Sequence, residues 1–253
     1  MASKPPNTTI IRTTLPRLPL PPQSTWPHLQ TARLLLRPLT ASDDAEAYYV
    51  LRSDATFMSE STLGKPDSCI SETREALSSL SDPERENFLF GIFVADTGEL
   101  IGDGGIHTIR HGGMGWPEIG YKLAPAHWGK GYATEAMRAV LEAWWALPRE
   151  EGEEVWVKVH GDTIELLPSA IETQTHDDGE TGEEKGESKG KGRSKGFARE
   201  RMSAEIATYN QGSRNVLQKL GFEHYGTWEE PDTQLHRLGQ PLEMGHYVLS
   251  SPK

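Results

Sequence analysis

The sequence predicts an α+β domain, a mixed and mostly antiparallel central sheet of about seven strands flanked by helices. Three observations predict it. Short apolar runs bounded by Gly, Pro and Asp recur along the chain and read as strands. A strongly amphipathic helix follows a glycine-rich loop near the middle of the chain. The elements then run in the order strand, two helices, three antiparallel strands, helix, strand, helix, two strands.

Residues 1–30 are rich in Pro and Thr, show neither helical nor strand period, and are expected to form a disordered tail. Thr31–Leu39 (TARLLLRPL) reads as the first strand. A helix follows, with Thr40 or Ser42 as N-cap and acidic residues in its first turn. Ser68–Leu80 is a second helical stretch. Asn87–Asp96 and Leu100–Ile109 are strands joined by the turn "TGE", and Pro117–Pro125 is the next strand. Ala133, Ala136, Met137, Val140, Leu141 and Trp144 then fall at helical spacing, and Pro148 ends that helix. Residues 149–201 interrupt the domain: "EEVWVKVHGDTIELL" can form an extra hairpin, and Thr173 to about Glu200 is a charged, Gly-rich, flexible insertion. Apolar periodicity resumes with a strand at Met202–Asn210 and a short helix capped by Gly221, and "FEHYGTW" and "HYVLS" supply closing strands. One domain over residues 31–250 accounts for all of this.

Composition narrows the function. A formal net charge of −11 argues against a nucleic-acid partner, which calls for a basic face, and suits a cationic substrate. The one cysteine, Cys69, excludes an internal disulfide, and no Cys/His group has zinc-ligand spacing, so no metal is expected. That fits a reducing, cytoplasmic compartment, and no apolar run has the length of a membrane span.

The chemistry gathers at "HWGKGYATEA" (His127–Ala136), where two glycines and a lysine precede the amphipathic helix. A helix start leaves N–H groups unpaired at the positive end of the dipole, which favours a phosphate. The ATP loop G-x-x-x-x-G-K-[ST] is absent, and Gly129, Gly131 and Thr134 give G-x-G-x-x-T where a dinucleotide fold needs a third glycine. The loop instead resembles the pyrophosphate loop of the GNAT acyltransferases, [Q/R]-x-x-G-x-[G/A], with Gly131 and Ala133 at the small positions. Trp128 stands where Gln or Arg is usual, as in the branch that includes ribosomal-protein N-acetyltransferases of the RimJ/RimL kind. Asn210–Phe222 (NQGSRNVLQKLGF) is similar to the family's second segment, and the insertion falls where fungal-type relatives carry one.

The resemblance implies a GNAT fold whose sheet splays between its fourth and fifth strands, and a direct transfer from acetyl-CoA, as co-substrate, to a primary amine. The acceptor is a protein N-terminus or a small amine, and the protein a monomer or homodimer. It assigns the diphosphate to Trp128, Gly129, Lys130, Gly131, Tyr132, Ala133 and Thr134, and the cofactor arm to Asn210 and Ser213. The Leu123 N–H becomes the oxyanion donor and Glu118 the base, with His107 as a second candidate base. Each has a plainer alternative: Lys130 a solvated charge, Leu123 an ordinary ladder residue, Glu118 and His107 surface or structural groups, Asn210 and Ser213 a helix cap. Leu217 holds the position where many family members carry a tyrosine acid. That motivates a second reading, an acyl-CoA-binding scaffold without catalysis.

Overall fold

The computed structural model describes residues 8–59, 61–62, 64–82, 86–110, 112–149, 155–160, 164 and 197–252. In chain order the strands are β1 (Thr8–Thr13), β2 (Leu29–Gln30), β3 (Leu34–Arg37), β4 (Phe88–Val94), β5 (Leu100–Thr108), β6 (Glu118–Leu123), β7 (Val155–His160), β8 (Arg201–Ala207), β9 (Glu223–Pro231) and β10 (Pro241–Ser250). The α-helices are α1 (Ala45–Arg52), α2 (Ala55–Met58), α3 (Ile70–Leu80), α4 (Tyr132–Ala146) and α5 (Gln211–Leu220). Eight strands form one sheet in the order β2-β3-β4-β5-β6-β8-β10-β9, one more than expected because Leu29–Gln30 adds an edge. Every pair in it is antiparallel except β6 with β8, which is parallel and has one register pair, Glu118 with Ser203. The sheet therefore splays between these two strands, as the sequence implies.

Strand alternation divides the core between the two faces. Phe88, Phe90 and Ile92 of β4 join Ile101, Ile106 and Ile119 beneath Ala136, Met137, Val140, Leu141 and Trp144 of α4. Phe93 points the other way, into a second cluster with Tyr48 and Leu51 of α1, Phe57 of α2 and Leu77 of α3. α4 forms because its apolar residues recur on one side, and it ends where Pro148 blocks continuation after Leu147 turns extended. α1 starts later than expected. Asp44, rather than Thr40 or Ser42, precedes its first turn, and that carboxylate is engaged by the Arg37 guanidinium at 2.7 and 2.9 Å and by the Thr40 N–H at 2.8 Å.

The expectation of a disordered tail over residues 1–30 is corrected for residues 8–30; residues 1–7 lie outside the described set. β1 pairs antiparallel with β7 over the full length of both strands. Ile11 and Leu15 are buried with Met114, Trp116, Val157, Val159 and Val248, and Trp26 packs its ring 4.7 Å from Phe88. The Pro-rich stretch is thus an extended strap whose scattered apolar side chains bury against a preformed sheet. β7 is the first arm of the stretch expected to form an extra hairpin, and it pairs with β1; the second arm, apart from residue 164, lies outside the described residues. Of the charged insertion, residues 165–196 lie outside the described residues, while Ala198 and Glu200 are buried in the core.

A polar knot fastens α1 to α3. Arg52 donates to Asp67 at 2.6 and 2.9 Å and Thr73 Oγ1 donates to it at 2.5 Å. Burial raises the Asp67 carboxyl, but these donors outweigh it and hold its pKa below the ordinary value. A lowered carboxylate pKa contributes stability that is complete above the unfolded-state value and is lost as pH falls through the folded one. Urea denaturation should therefore show stability falling as pH drops below about 4, with a shallower fall in Asp67→Asn. An identical pH dependence in the two proteins would contradict this.

Candidate active site

Two parallel strands, each followed by a helix, bring two helix N-termini to the same end of the sheet. α4 follows β6 and α5 follows β8, so both helices begin where the strands part. The loop between β6 and α4 makes a 3-10 turn at Pro125–His127 and then carries Gly129 at φ +71 and Gly131 at φ +81. A Cβ at Gly129 would meet nothing within 4 Å, and at Gly131 only the Arg33 guanidinium, at 3.5 Å. The glycines are therefore required by backbone conformation rather than by crowding. No side chain caps α4, so the first N–H groups of the helix (Tyr132, Ala133, Thr134) point into the space above the loop. Lys130 is exposed at its tip.

The loop is anchored from below by residues that local sequence reading does not single out. Glu135 Oε1 accepts from Thr31 Oγ1 at 2.7 Å and from the Arg33 N–H at 2.9 Å, and Arg33 Nε donates to Oε2 at 2.7 Å. Arg33 also donates to the Lys130 carbonyl at 3.0 Å and lies over the Tyr132 ring. Burial raises the Glu135 carboxyl, but Thr31 and Arg33 outweigh it and keep it below the ordinary carboxylate range. Beside the loop lies an open depression of about 530 Å³ whose lining includes Thr31, Gly131, Thr134, Arg138 and Lys219.

Leu123 stands at the parting strands. The Ala124 N–H donates to the Ile101 carbonyl at 2.8 Å while Leu123 pairs with Gly102. Antiparallel alternation then turns the N–H and C=O of Leu123 away from β5 and into the gap facing β8. The Trp128 indole N–H donates to that carbonyl at 2.6 Å, which ties the loop to the strand end. Across the gap Asn210 caps α5, accepting from the Ser213 N–H at 2.9 Å. Tyr121 of β6 spans the same gap, donating to the Ser213 carbonyl at 3.3 Å, and burial pushes its hydroxyl up to about 12. Leu217 is a buried core residue.

Glu118 sits at the closed end of the gap, five residues and about 16 Å along the strand from Leu123. Its Oε1 lies 3.3 Å from His107 Nε2, so the two candidate bases are neighbours. On the same sheet face, Glu205 of β8, Glu230 of β9 and His246 of β10 converge, with one polar atom of each within 4.8 Å of the others. The Trp228 ring stacks on His246 at 3.4 Å. No short motif announces this cluster; it arises from the register Glu205 with His246 and from β9 pairing on β10's other side. Thr233 Oγ1 donates to the Thr62 carbonyl at 2.9 Å, and Gln234 Nε2 donates to the Ser59 carbonyl. The loop before the last strand thus meets the end of α2, which brings together two segments in which the sequence carries no recognisable motif.

The family model for the acetyltransferase (GNAT) domain matches residues 33–223. An uncharacterized N-acetyltransferase p20 of Bacillus licheniformis is 33% identical over 117 residues, 45% of this chain and 64% of that protein. The chain spans just under two thirds of the curated relatives it matches. Among solved structures, spermidine N-acetyltransferase from Vibrio cholerae, in complex with CoA and spermine, superposes with a TM-score of 0.56 at 16% identity, covering 88% of this chain and 98% of that one. RimL, a ribosomal L7/L12 alpha-N-protein acetyltransferase in complex with coenzyme A, gives 0.58 at 14% identity, with 88% and 98% covered. At such identities these two likenesses establish the fold alone.

Proposed function

Because the chain belongs to the GNAT acetyltransferase family, we propose that it moves an acetyl group from acetyl-CoA to a primary amine by direct attack in a ternary complex. One observation carries this reading: the gap between β6 and β8, into which the Leu123 N–H faces beside an uncapped helix start preceded by two left-handed glycines. In this reading the N–H groups from Gly129 to Thr134 hold the diphosphate, with Lys130 adding a charge, and Trp128 fixes the loop to the strand. Arg138 and Lys219 line the depression beside the loop and supply cations to the nucleotide end of the ligand, which a chain of net charge −11 must provide locally. Asn210 and Ser213 act as the cap that fixes the start of α5 against the cofactor arm.

The thioester carbonyl then meets the Leu123 N–H, which stabilises negative charge as the tetrahedral centre forms. An ammonium near pKa 10 has to lose a proton before it attacks. Glu118 draws that proton through water, since it stands at the closed end of the gap. The proposed acceptor is a protein N-terminus or a small amine such as a polyamine, the classes named for RimL and for the Vibrio cholerae enzyme. The proposed setting is the cytoplasm, with the protein acting as a monomer or homodimer.

The test is CoA release from acetyl-CoA with spermidine and with peptides bearing free Ala or Ser N-termini. Thiol release with at least one acceptor is expected; none with any acceptor overturns the reading. The buried Leu217, in the position of the family's tyrosine, favours a second reading in which the chain binds acyl-CoA without turnover. Glu118→Gln separates the two: the transferase loses turnover and keeps acetyl-CoA affinity, whereas a scaffold has no turnover to lose.

A further inference from the structure

We propose that Glu205, Glu230 and His246 form a binding site for a divalent transition-metal ion of the zinc class, on the face of the sheet that carries Glu118. Among the described residues these are the one group of three metal-ligating side chains that converges, each offering an atom within 4.8 Å of the other two. They come from three neighbouring strands, β8, β9 and β10, so no spacing along the chain marks them.

Three atoms at the meeting point are buried without a hydrogen bond: both ring nitrogens of His246 and Oε1 of Glu205. His246 is 0% exposed. Glu205 Oε1 stands 3.5 Å from Nδ1 and Glu230 Oε1 3.1 Å from Nε2, yet neither contact has the alignment of a hydrogen bond. A buried polar atom without a partner is costly, and three in one place call for a ligand that satisfies them together. A metal ion does so where a hydrogen bond does not. Two ligands of one ion aim their lone pairs at a shared point rather than at each other, so they lie close together and misaligned. Ligands of a tetrahedral zinc ion stand roughly 3.4 Å apart. Modest rotation of the two glutamate side chains closes the group onto one of the imidazole nitrogens.

The neighbours hold the ligands in place. The Trp228 ring stacks on His246 with 3.4 Å between centroids and 10° between planes, so one face of the imidazole is covered and its nitrogens open only at the ring edge. The Trp228 indole N–H donates to Glu230 Oε1 at 2.6 Å, the kind of outer contact that orients a metal-binding carboxylate. The register of β9 with β10 shifts between His246 and Tyr247, an irregularity of the sort that re-aims a side chain. A Cβ at Gly113 would collide with Glu205, so the backbone before β6 walls the site on that side.

Charge and donor type select the ion. The two carboxylates and a neutral imidazole carry two negative charges, which a dication balances. Glu118 adds a further negative charge nearby, since its register partner Ser203 lies two residues before Glu205 on β8. One nitrogen with carboxylate oxygens suits zinc, whereas magnesium and calcium take oxygen ligands throughout. Three protein ligands leave the fourth zinc position to water. Bound there, the ion clamps the edge strand β9 across β10 to β8. With β9 it steadies the loop that follows, whose Thr233 and Gln234 hold the end of α2.

The experiment takes the full untagged chain, dialysed against a chelator, and titrates it by calorimetry with zinc, manganese, magnesium and calcium chlorides. Elemental analysis after gel filtration counts the metal retained. One zinc per chain is expected, bound at least about 100-fold more tightly than magnesium or calcium. At free zinc about 100 times Kd the melting temperature should rise by about 5–10 °C. Glu205→Gln and Glu230→Gln keep side-chain volume and should each lower zinc affinity by more than about 100-fold. Trp228→Phe keeps the stack, removes the N–H, and should lower it by about 10–100-fold. One equivalent of zinc should also shift the His246 ring nitrogens in an NMR spectrum. Glu230, with a side chain 34% exposed, is the position where substitution spares the fold, and the metal-free melting temperature checks this. No zinc retained at millimolar concentration overturns the proposal, as does magnesium binding of equal strength. Zinc held with wild-type affinity by both glutamine variants places the ion at other histidines and overturns it too. None of these measurements uses an acceptor or turnover, so their failure leaves the transferase reading standing, and the absence of acetyl transfer leaves the metal site standing.

Discussion

Gly131→Glu is expected to lower acetyl-CoA affinity severely while leaving the protein folded. Gly131 sits at φ +81 immediately before α4, in the left-handed region that costs a side-chain-bearing residue about 1–2 kcal/mol. There is room for the new side chain, because the nearest atom to its Cβ is the end of the Arg33 side chain at 3.5 Å. A carboxylate at a helix start returns about 0.3–1 kcal/mol through the dipole, so net destabilisation is small. The effect on the ligand is of another order. In the proposed binding mode the carboxylate would stand where the diphosphate lies, repel it, and take the N–H groups that would hold it. Calorimetry should show affinity lowered by more than about 100-fold, the scale set by losing several charge-assisted hydrogen bonds. Gly131→Ala carries the backbone strain without the charge and should retain measurable binding. Wild-type affinity in Gly131→Glu would remove the loop from the ligand site.

Trp144→Ala has the largest expected effect on stability. Trp144 is fully buried on the packed face of α4 in its last turn, with its ring 6.0 Å from Phe88. Its indole N–H donates to Glu200 Oε1 at 3.1 Å, and Arg149 donates to both oxygens of that carboxylate at 3.1 Å and to the Trp144 carbonyl at 2.8 Å. Truncation leaves a cavity that a rigid helix–sheet interface cannot fill and removes a donor from a buried carboxylate, for a total of about 3–5 kcal/mol. At about 2–4 °C per kcal/mol for a chain of this size, the melting temperature should fall by roughly 10 °C. Trp145, on the next residue and half-buried, should cost much less when changed to Ala. Equal effects at the two positions would mean that burial at α4 does not set the loss.

The parts of the fold that were legible in the sequence are those whose reason is local. α4 is written in the spacing from Ala133 to Trp144, the β4–β5–β6 meander in alternation and in the turn at Thr97–Gly98, and the left-handed loop in Gly129 and Gly131. What stayed hidden depends on partners distant along the chain. β1 is a strand only because β7 pairs with it, and its Pro-rich surroundings resemble those of an unfolded segment. Asp44 displaced Thr40 and Ser42 at the start of α1 because Arg37 claims its carboxylate. The same holds for the site. Gly129, Gly131 and Leu123 can be read from a single stretch, whereas Arg33 reaches Glu135 of α4 from the bend before β3, and Glu205, Glu230 and His246 meet only through the registers of three strands. Pairing between distant segments leaves no periodic signature for a window of sequence to carry.

The parallel join of β6 to β8 stops after one rung, Glu118 with Ser203. Past that rung the two arms of the sheet share no main-chain ladder; they are aligned by the Tyr121–Ser213 hydrogen bond, by α4 lying against α5, and by the grip of Thr233 and Gln234 on the end of α2. An extended molecule bearing amides of its own would lie between the two strands as an interposed strand. Its arrival would stitch the two arms into one continuous sheet, so that slower amide exchange along both β6 and β8 would accompany occupancy.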